Sequence, residues 1–216
     1  MRIFYYLFVF LVVTVAGFVL WRVAIHNEGT VVPGTLYRSA QLDAKALKQE
    51  IATNHIRTVI NLRGANTNHP WYDDELAVCR QLGVDHVDVQ WSAQHLPPPD
   101  QMEALLRAFR DAPRPILLHC RSGSDRTGLA AGVFLIDQEH EPWKEARGAL
   151  NLKYGHFAIY PYFEMDEFIQ LYGQSGNPSL QDWTEKDYPA LYASKSHESK
   201  SDKITDPLKL MIHGKL

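Results

Sequence analysis

Residues 119–128 read His-Cys-Arg-Ser-Gly-Ser-Asp-Arg-Thr-Gly, and this stretch says more about fold and chemistry than any other. Residues 115–118 before it form an apolar run typical of a buried strand, and residues 129–136 after it are apolar enough for a buried helix. A loop between a strand and a helix points its backbone N–H groups and the positive end of the helix dipole at one spot. The stretch therefore predicts an anion-binding loop at the end of a strand.

Cys120 and Arg126 are the chemically decisive residues of this loop, and five residues separate them. Arg126 can hold two phosphate oxygens with its planar guanidinium group. Cys120 lies at the base of the loop, where the same electrostatic field favours the thiolate form. A thiolate beneath a bound phosphate is a nucleophile for phosphoryl transfer. The alternative is a buried structural cysteine in an ordinary strand–loop–helix turn.

Further residues of the loop complete the predicted site. His119 is expected to shape the loop and help hold the thiolate, and Thr127 can donate a hydrogen bond to the sulfur. The expected substrate-binding residues are the other loop positions and one arginine elsewhere, namely Arg121, Ser122, Gly123, Ser124 and Arg63. Arg63 and Arg38 are candidates to meet a second phosphate, and an ion pair is the alternative for each.

The loop resembles the signature loop of the cysteine-dependent protein tyrosine phosphatase superfamily, especially that of small dual-specificity phosphatases. Residues 34–39, Gly-Thr-Leu-Tyr-Arg-Ser, and residues 58–63, Thr-Val-Ile-Asn-Leu-Arg, resemble the opening of atypical dual-specificity phosphatases of plants, fungi and bacteria. The resemblance covers residues 34–172. It implies hydrolysis of phosphate monoesters through a phosphocysteine on Cys120, with protein phosphotyrosine, phosphoserine or phosphothreonine as the main expectation. Inositol phosphates and phosphoinositides are the alternative substrates.

The resemblance also implies a general acid, which relatives supply as an aspartate from the loop before the preceding helix. Here that loop, residues 89–98, reads Val-Gln-Trp-Ser-Ala-Gln-His-Leu-Pro-Pro and holds no carboxylate, and Gln94 takes the expected position. A glutamine cannot donate a proton usefully, so the acid must come from elsewhere.

Asp125 is the first candidate for the acid because some relatives with a Gly-x-Asp-Arg loop are thought to use that aspartate. Its alternative role is structural, as a residue that ties down the loop. Asp88 at the end of a predicted strand is the second candidate, and His95 is a third. Asp100 opens a predicted helix and is expected to be its N-cap, a position that favours aspartate.

The first 24 residues predict a transmembrane anchor. Residues 3–21 hold no charged side chain and lie between Arg2 and Arg22, and their length suits a hydrocarbon core of roughly 30 Å. A cleaved signal peptide is the competing interpretation, although the apolar run continues past the small residues near position 16. The sequence therefore predicts that the protein crosses the bacterial inner membrane once and that its catalytic domain lies on the periplasmic side.

The remaining sequence predicts one α/β domain, because β-rich segments alternate with helical patterns in a way that indicates a central, mostly parallel sheet flanked by helices. The predicted divisions are a membrane anchor over 1–24, a connector over 25–33, a phosphatase domain over 34–192 and a flexible tail over 193–216. The tail is rich in Ser and Lys and poor in apolar residues.

The composition of the chain excludes several classes of function. A net charge of −3 argues against a general nucleic-acid binder. The only two cysteines, Cys79 and Cys120, imply no disulfide framework, and Cys79 lies in a helical pattern that predicts a buried, inert thiol. None of the ten histidines has the spacing of a metal site, so neither a metal nor a cofactor is assigned.

Two other classes of function stay open at this stage. A rhodanese-type sulfurtransferase also holds an anion in a cysteine loop before a helix, but His119 before the cysteine and the Arg-Thr-Gly ending favour a phosphatase. A membrane-tethered, phosphate-binding pseudophosphatase is the non-enzymatic alternative, because residues 89–98 lack the expected acid.

Overall fold

A computed structural model of the chain describes residues 2–24, 26–159 and 162–196. The helices and strands are α1 (Arg2–Ala24), β1 (Gly29–Val32), β2 (Leu36–Ser39), α2 (Ala44–Asn54), β3 (Thr58–Asn61), α3 (Pro70–Leu82), β4 (Asp85–Asp88), α4 (Pro99–Asp111), β5 (Ile116–His119), α5 (Asp125–Gln138), α6 (Trp143–Ala146), α7 (Glu164–Ser175), α8 (Leu180–Lys186) and α9 (Tyr188–Ser196). Two short 3-10 helices, Arg147–Ala149 and Leu152–Tyr154, lie between α6 and α7. In α1, side chains are described only at positions 2, 4–15 and 17.

The five strands form one sheet in the order β1-β2-β5-β3-β4. β2, β5, β3 and β4 are parallel, and β1 pairs antiparallel with β2 at the edge. The predicted α/β fold with a mostly parallel sheet is therefore confirmed. β1 lies inside residues 25–33, which were predicted to be a connector. Its four residues show no alternation of apolar and polar side chains, so the pattern is too weak to predict a strand.

Helices cover both faces of the sheet, so the two central strands β3 and β5 are buried at every position. In β5, Leu117 packs with α2 and α3 on one face. Its neighbours Ile116 and Leu118 join the larger core on the other face, which includes Phe109 of α4 and Phe134 of α5. Side chains of a strand alternate between the two faces, and this alternation assigns each leucine to its layer.

The strand register gathers four polar residues at one edge of the sheet. Ser39 of β2 and Asn61 of β3 both pair with His119 of β5, and Asp88 of β4 pairs with Asn61. The carboxyl ends of parallel strands meet at the same edge, which is where α/β proteins place their ligands. The loop that follows His119 starts from this edge.

The structure contradicts the prediction that residues 1–24 form a membrane anchor. Among the described residues, no helix combines the length and the apolar character needed to span a bilayer. This finding contradicts the predicted single-pass localisation in the bacterial inner membrane.

Other differences concern helix ends. Pro98 and not Asp100 is the N-cap of α4, because Pro99 at the first helical position fixes the backbone for entry into the helix. After Pro142, the chain forms only the short α6, which is followed by two 3-10 helices. Of the predicted flexible tail, residues 193–196 belong to α9, and residues 197–216 lie outside the described residues.

Candidate active site

The loop after β5 turns tightly against the end of β2. Gly123 has a φ of +70°, and a Cβ there would lie 2.6 Å from the backbone nitrogen of Ala40 and 2.6 Å from the carbonyl oxygen of Ser39. Glycine tolerates both the positive φ and the close approach, which a larger residue would not. The loop ends where α5 begins at Asp125, so the N-terminus of that helix faces the same point as the loop amides.

Cys120 is only 2% exposed at the base of this loop. Burial by itself would raise the pKa of its thiol. Arg126, the hydroxyl of Thr127 and the backbone N–H groups of Thr127 and Gly123 outweigh that effect, so the pKa of Cys120 lies below its ordinary value. The surroundings therefore favour a thiolate, which is the reactive form of cysteine.

Arg126 is held by two backbone carbonyl groups. Its Nη1 donates to the oxygen of Leu62 at 3.2 Å and to that of Trp91 at 3.3 Å. Within the described part of the chain, its buried Nε has no hydrogen-bond partner. An unpaired buried donor costs roughly 1–3 kcal/mol, and a phosphate oxygen would remove that cost. The two carbonyl contacts of Nη1 hold the guanidinium group of Arg126 in place, and its Nε–H stays available to an anion.

Arg38 supports the loop from behind. It is 1% exposed, and its Nη2 donates to the carbonyl of Gly123 at 2.8 Å while its Nη1 donates to that of Ala149 at 2.9 Å. Its guanidinium carbon lies 3.8 Å from the centre of the Tyr154 ring. These contacts place Arg38 in the structural support of the loop, in contrast to its predicted contact with a second phosphate.

His119 contacts a buried carboxylate that the sequence analysis did not identify. Its Nε2 lies 3.1 Å from the carboxylate of Glu75 in α3, which also contacts His86 at 2.8 Å and accepts a hydrogen bond from Gln41 at 2.7 Å. We call these four residues the Glu75 cluster. Burial would raise the pKa of Glu75, but His119, His86 and Gln41 outweigh it and hold that pKa well below the usual range.

A sequence signal for Glu75 exists in hindsight. Glu75 precedes Val78 and Cys79 by three and four residues, so it lies on the buried face of α3. A charged residue on such a face needs partners, because an unpaired buried charge is strongly destabilising. On the same face, burial followed by the charge of Glu75 raises the pKa of Cys79 to about 12, which agrees with the predicted inert thiol.

Asp125 contacts a second buried histidine on the other side of the loop. Its Oδ1 lies 2.7 Å from Nδ1 of His156, whose Nε2 lies 2.6 Å from Oδ2 of Asp166. Oδ1 of Asp166 accepts a hydrogen bond from Nε of Arg147 at 2.9 Å. We call these four residues the His156 cluster. No sequence motif gives His156 a role, because its partners Asp125 and Asp166 lie 31 and 10 residues away along the chain.

The other candidate acids lie elsewhere. Asp88 accepts hydrogen bonds from Asn61 at 2.8 Å and from the Tyr72 hydroxyl at 2.5 Å. It ends β4, two strands away from β5, which corresponds to roughly 10 Å. His95 and Asp100 are exposed. Among the three candidates Asp125, Asp88 and His95, only Asp125 belongs to the loop between β5 and α5.

Arg63 lies at the rim of the site. Its guanidinium carbon is 3.6 Å from the centre of the Trp71 ring, and its Nη1 donates to Gln41 at 3.3 Å. Burial, followed by the charges of Arg126 and Arg121, lowers the pKa of Arg63. Three arginines therefore lie close enough to one another to form a cationic surface around the nucleophile.

The chain is similar to known phosphatases. A model described as the tyrosine phosphatase family matches residues 22–136, which is more than half of the 216 residues. No curated protein sequence matches the chain significantly.

Several solved structures share its fold. TpbA of P. aeruginosa is 21% identical over 79% of this chain and 92% of that chain, with a TM-score of 0.52. The active form of Tk-PTP is 17% identical over 70% of this chain and 98% of that chain, with a TM-score of 0.54. The core catalytic domain of the PP-IP phosphatase SIW14 from S. cerevisiae is 21% identical over 79% of this chain and 92% of that chain, with a TM-score of 0.51.

Proposed function

Because the chain belongs to the tyrosine phosphatase family, we propose that this cysteine-based phosphatase hydrolyses phosphate monoesters on proteins, with phosphotyrosine as the preferred substrate. The observation that carries the proposal is the position of Cys120. Its thiol is buried beneath a loop that ends at a helix N-terminus, next to Arg126, whose Nε has no hydrogen-bond partner among the described residues. This arrangement suits a dianionic phosphate held above a thiolate.

The first chemical step transfers the phosphoryl group to the enzyme. The thiolate of Cys120 attacks phosphorus, the S–P bond forms, and the bond between phosphorus and the leaving oxygen breaks. Arg126 and the loop amides of residues 121–125 bind the equatorial oxygens, where charge is held in the transition state. The leaving oxygen needs a proton because an alkoxide is a poor leaving group at neutral pH.

The second step regenerates the enzyme. Water attacks the phosphorus of the phosphocysteine, the S–P bond breaks, and the thiolate and inorganic phosphate are released. The hydroxyl of Thr127 lies close enough to Cys120 to lower its pKa. It therefore stabilises the departing thiolate in this step.

Asp125 is the proposed general acid. It directly precedes Arg126 at the start of α5, and 16% of its side chain is exposed. Asp88 is already engaged by Asn61 and Tyr72 on the far side of β3. Protonation by Asp125 also requires no movement of the loop over residues 89–98, which carries no carboxylate.

Two observations bear on the substrate. TpbA, at 21% identity and a TM-score of 0.50, has a solved complex with phosphotyrosine, and this supports a tyrosyl phosphate here. The cluster of Arg63, Arg121 and Arg126 favours a second candidate, an inositol polyphosphate, because such a substrate would place further phosphates against the outer two arginines. The neighbour described as a PP-IP phosphatase is consistent with this second candidate.

A substrate panel on the full chain separates the two candidates. We expect kcat/KM for phosphotyrosine peptides to exceed that for inositol hexakisphosphate by more than roughly tenfold. Arg63→Gln should leave phosphopeptide turnover within a few-fold of the unmodified protein. The opposite ranking, together with a larger loss for Arg63→Gln on the inositol phosphate, would favour the second candidate.

A further inference from the structure

We propose that His156 is a positioning residue that shares one proton with Asp125, and this rests on the proposed role of Asp125 as the general acid. Through the carboxyl group of Asp125, the shared proton reaches the leaving oxygen. The reaction would then use the protonated pair as its acid, and Asp125 would be the member of the pair that meets the substrate. His156 itself would not touch the substrate.

The geometry fixes His156 in one orientation. The residue is 3% exposed and follows Gly155, whose φ of +74° ends a 3-10 helix and turns the chain inward. Nδ1 contacts Asp125 at 2.7 Å and Nε2 contacts Asp166 at 2.6 Å. Both ring nitrogens therefore meet a carboxylate oxygen, so the two contacts need one proton each, and the proton between Nδ1 and Asp125 is carried either by the imidazole or by the carboxyl group.

The charged groups around the ring support the same protonation state. Asp125 faces it from α5, Asp166 from α7, and Arg147 from a 3-10 helix neutralises part of the charge on Asp166 at 2.9 Å. Burial alone would lower the pKa of His156, but the hydrogen bonds to Asp125 and Asp166, reinforced by their charges, raise that pKa to about 9. Lys144 of α6 lines the same surface pocket as His156, Asp166 and Arg147.

An isolated aspartate side chain is ionised at neutral pH, so it holds almost no proton to give. The Asp125–His156 pair solves this problem because the imidazole of His156, whose pKa is raised, keeps a proton at neutral pH and passes it on through the carboxyl group that it contacts. As the bond between phosphorus and the leaving oxygen breaks, the proton on Nδ1 passes to Asp125 and on to that oxygen. The pair ends as a carboxylate and a neutral imidazole. In the second step, the attacking water gives a proton back to the pair as the S–P bond breaks.

An open surface pocket of about 400 Å³ lies beside the pair and is lined by His156, Asp166, Arg147 and Lys144, among others. Asp125 is not part of its lining. Solvent in this pocket could therefore exchange protons with the imidazole without entering the phosphate site.

The test replaces His156 with two amides and follows the pH dependence of kcat/KM on the full chain. His156→Asn keeps a donor near the position of Nδ1, and His156→Gln keeps one near the position of Nε2, but neither can supply a proton. The substrates are an aryl phosphate with an acidic leaving group, 4-nitrophenyl phosphate, and one with a poor leaving group, phenyl phosphate.

We expect both variants to lose more than roughly tenfold on phenyl phosphate at pH 7 and less than about threefold on 4-nitrophenyl phosphate. The fall of the rate at alkaline pH should move to lower pH by more than about one unit with phenyl phosphate. Asp166→Asn is the second type of variant, because it leaves the Asp125–His156 contact in place. It should move the same alkaline fall downward by a smaller amount.

Three results would overturn the inference. The first is an alkaline fall of kcat/KM that is unchanged in His156→Asn. The second is an equal loss of kcat/KM on phenyl phosphate and 4-nitrophenyl phosphate. The third applies if the His156 variants do not fold, and it is an alkaline fall that is unchanged in Asp166→Asn. The proposed function fails separately, when the unmodified chain does not turn over 4-nitrophenyl phosphate or when Cys120→Ser turns it over normally. Near-ultraviolet circular dichroism of each variant checks that it is folded.

Discussion

The Glu75 cluster and the His156 cluster flank the same loop and both pair histidine with carboxylate groups, yet they are built in opposite ways. In the first, one carboxylate serves two histidines, His119 and His86. In the second, one histidine serves two carboxylates, Asp125 and Asp166. The central group of each cluster is therefore surrounded by partners that favour its charged form.

This difference gives the clusters different chemical capacities. The central group of the Glu75 cluster is a carboxylate whose pKa is held well below its usual range, so it has no proton to release near neutral pH. The central group of the His156 cluster is an imidazolium with a pKa raised to about 9, so it retains one. We interpret the first cluster as a support for His119 at the base of the loop and the second as a store for a proton.

The largest expected effect comes from removing the sulfur that both clusters flank. Cys120→Ser should lower kcat by more than roughly 10³-fold, because the serine hydroxyl is far less ionised than the thiol and the covalent step fails. Binding of a phosphate ester should survive, since the loop and Arg126 are unchanged. Turnover of 4-nitrophenyl phosphate measures the loss of activity, and equilibrium binding of the same compound measures whether the ester still binds. Activity above a few per cent would mean that the mechanism does not use this cysteine.

The next largest effect is expected from changing Asp125, which belongs to the His156 cluster and not to the Glu75 cluster. Asp125→Asn should slow phosphates with poor leaving groups by roughly 10²–10⁴-fold, the range for loss of a general acid. It should slow 4-nitrophenyl phosphate much less, because that oxygen departs without a proton. The measurement is kcat/KM for a series of aryl phosphates of decreasing acidity.

Matched controls accompany this variant. Asp100→Asn changes an exposed aspartate at the start of α4 and should have no effect on any substrate. Asp88→Asn tests the competing candidate acid. Equal losses across the leaving-group series for Asp125→Asn would identify Asp125 as a residue that only shapes the loop, and a graded loss for Asp88→Asn would transfer the role to Asp88.

A smaller loss is expected from changing Arg126, the residue that we propose binds the phosphate. Arg126→Lys keeps the charge but loses the planar fork that matches two equatorial oxygens, so kcat/KM should fall by roughly 10²–10³-fold on all leaving groups. Steady-state kinetics with good and poor leaving groups measure this. A rate near that of the unmodified protein would show that Arg126 is not the phosphate clamp.

The sequence was most informative where the chemistry is local. The cysteine, the arginine and the threonine of the signature loop lie within eight residues, and the apolar runs on both sides identify the strand and the helix that carry them. The parallel sheet follows from the alternation of strand and helix patterns, which does not require knowledge of long-range contacts.

The two clusters were not predictable in the same way. Glu75 lies 44 residues from His119, and His156 lies 31 residues from Asp125. Their contacts depend on how α3 and the 3-10 turns after α6 pack around the loop. Asp100 shows the same limit at short range, because Pro99 places the start of α4 two residues earlier than an N-cap at Asp100 would.

The smallest predicted effect is the contribution of each cluster to stability at different pH. The pKa of Glu75 is lowered in the folded protein, so its contribution is present above its unfolded value and is lost as the pH falls. The pKa of His156 is raised to about 9, so its contribution is present below its unfolded value and is lost as the pH rises towards and through 9. Urea unfolding between pH 4 and pH 10 should therefore show losses on the order of 1 kcal/mol at both ends. Glu75→Gln should flatten only the acid end and His156→Gln only the alkaline end. If either variant flattened both ends, the two clusters would form one coupled network, and the division between a support and a proton store would not hold.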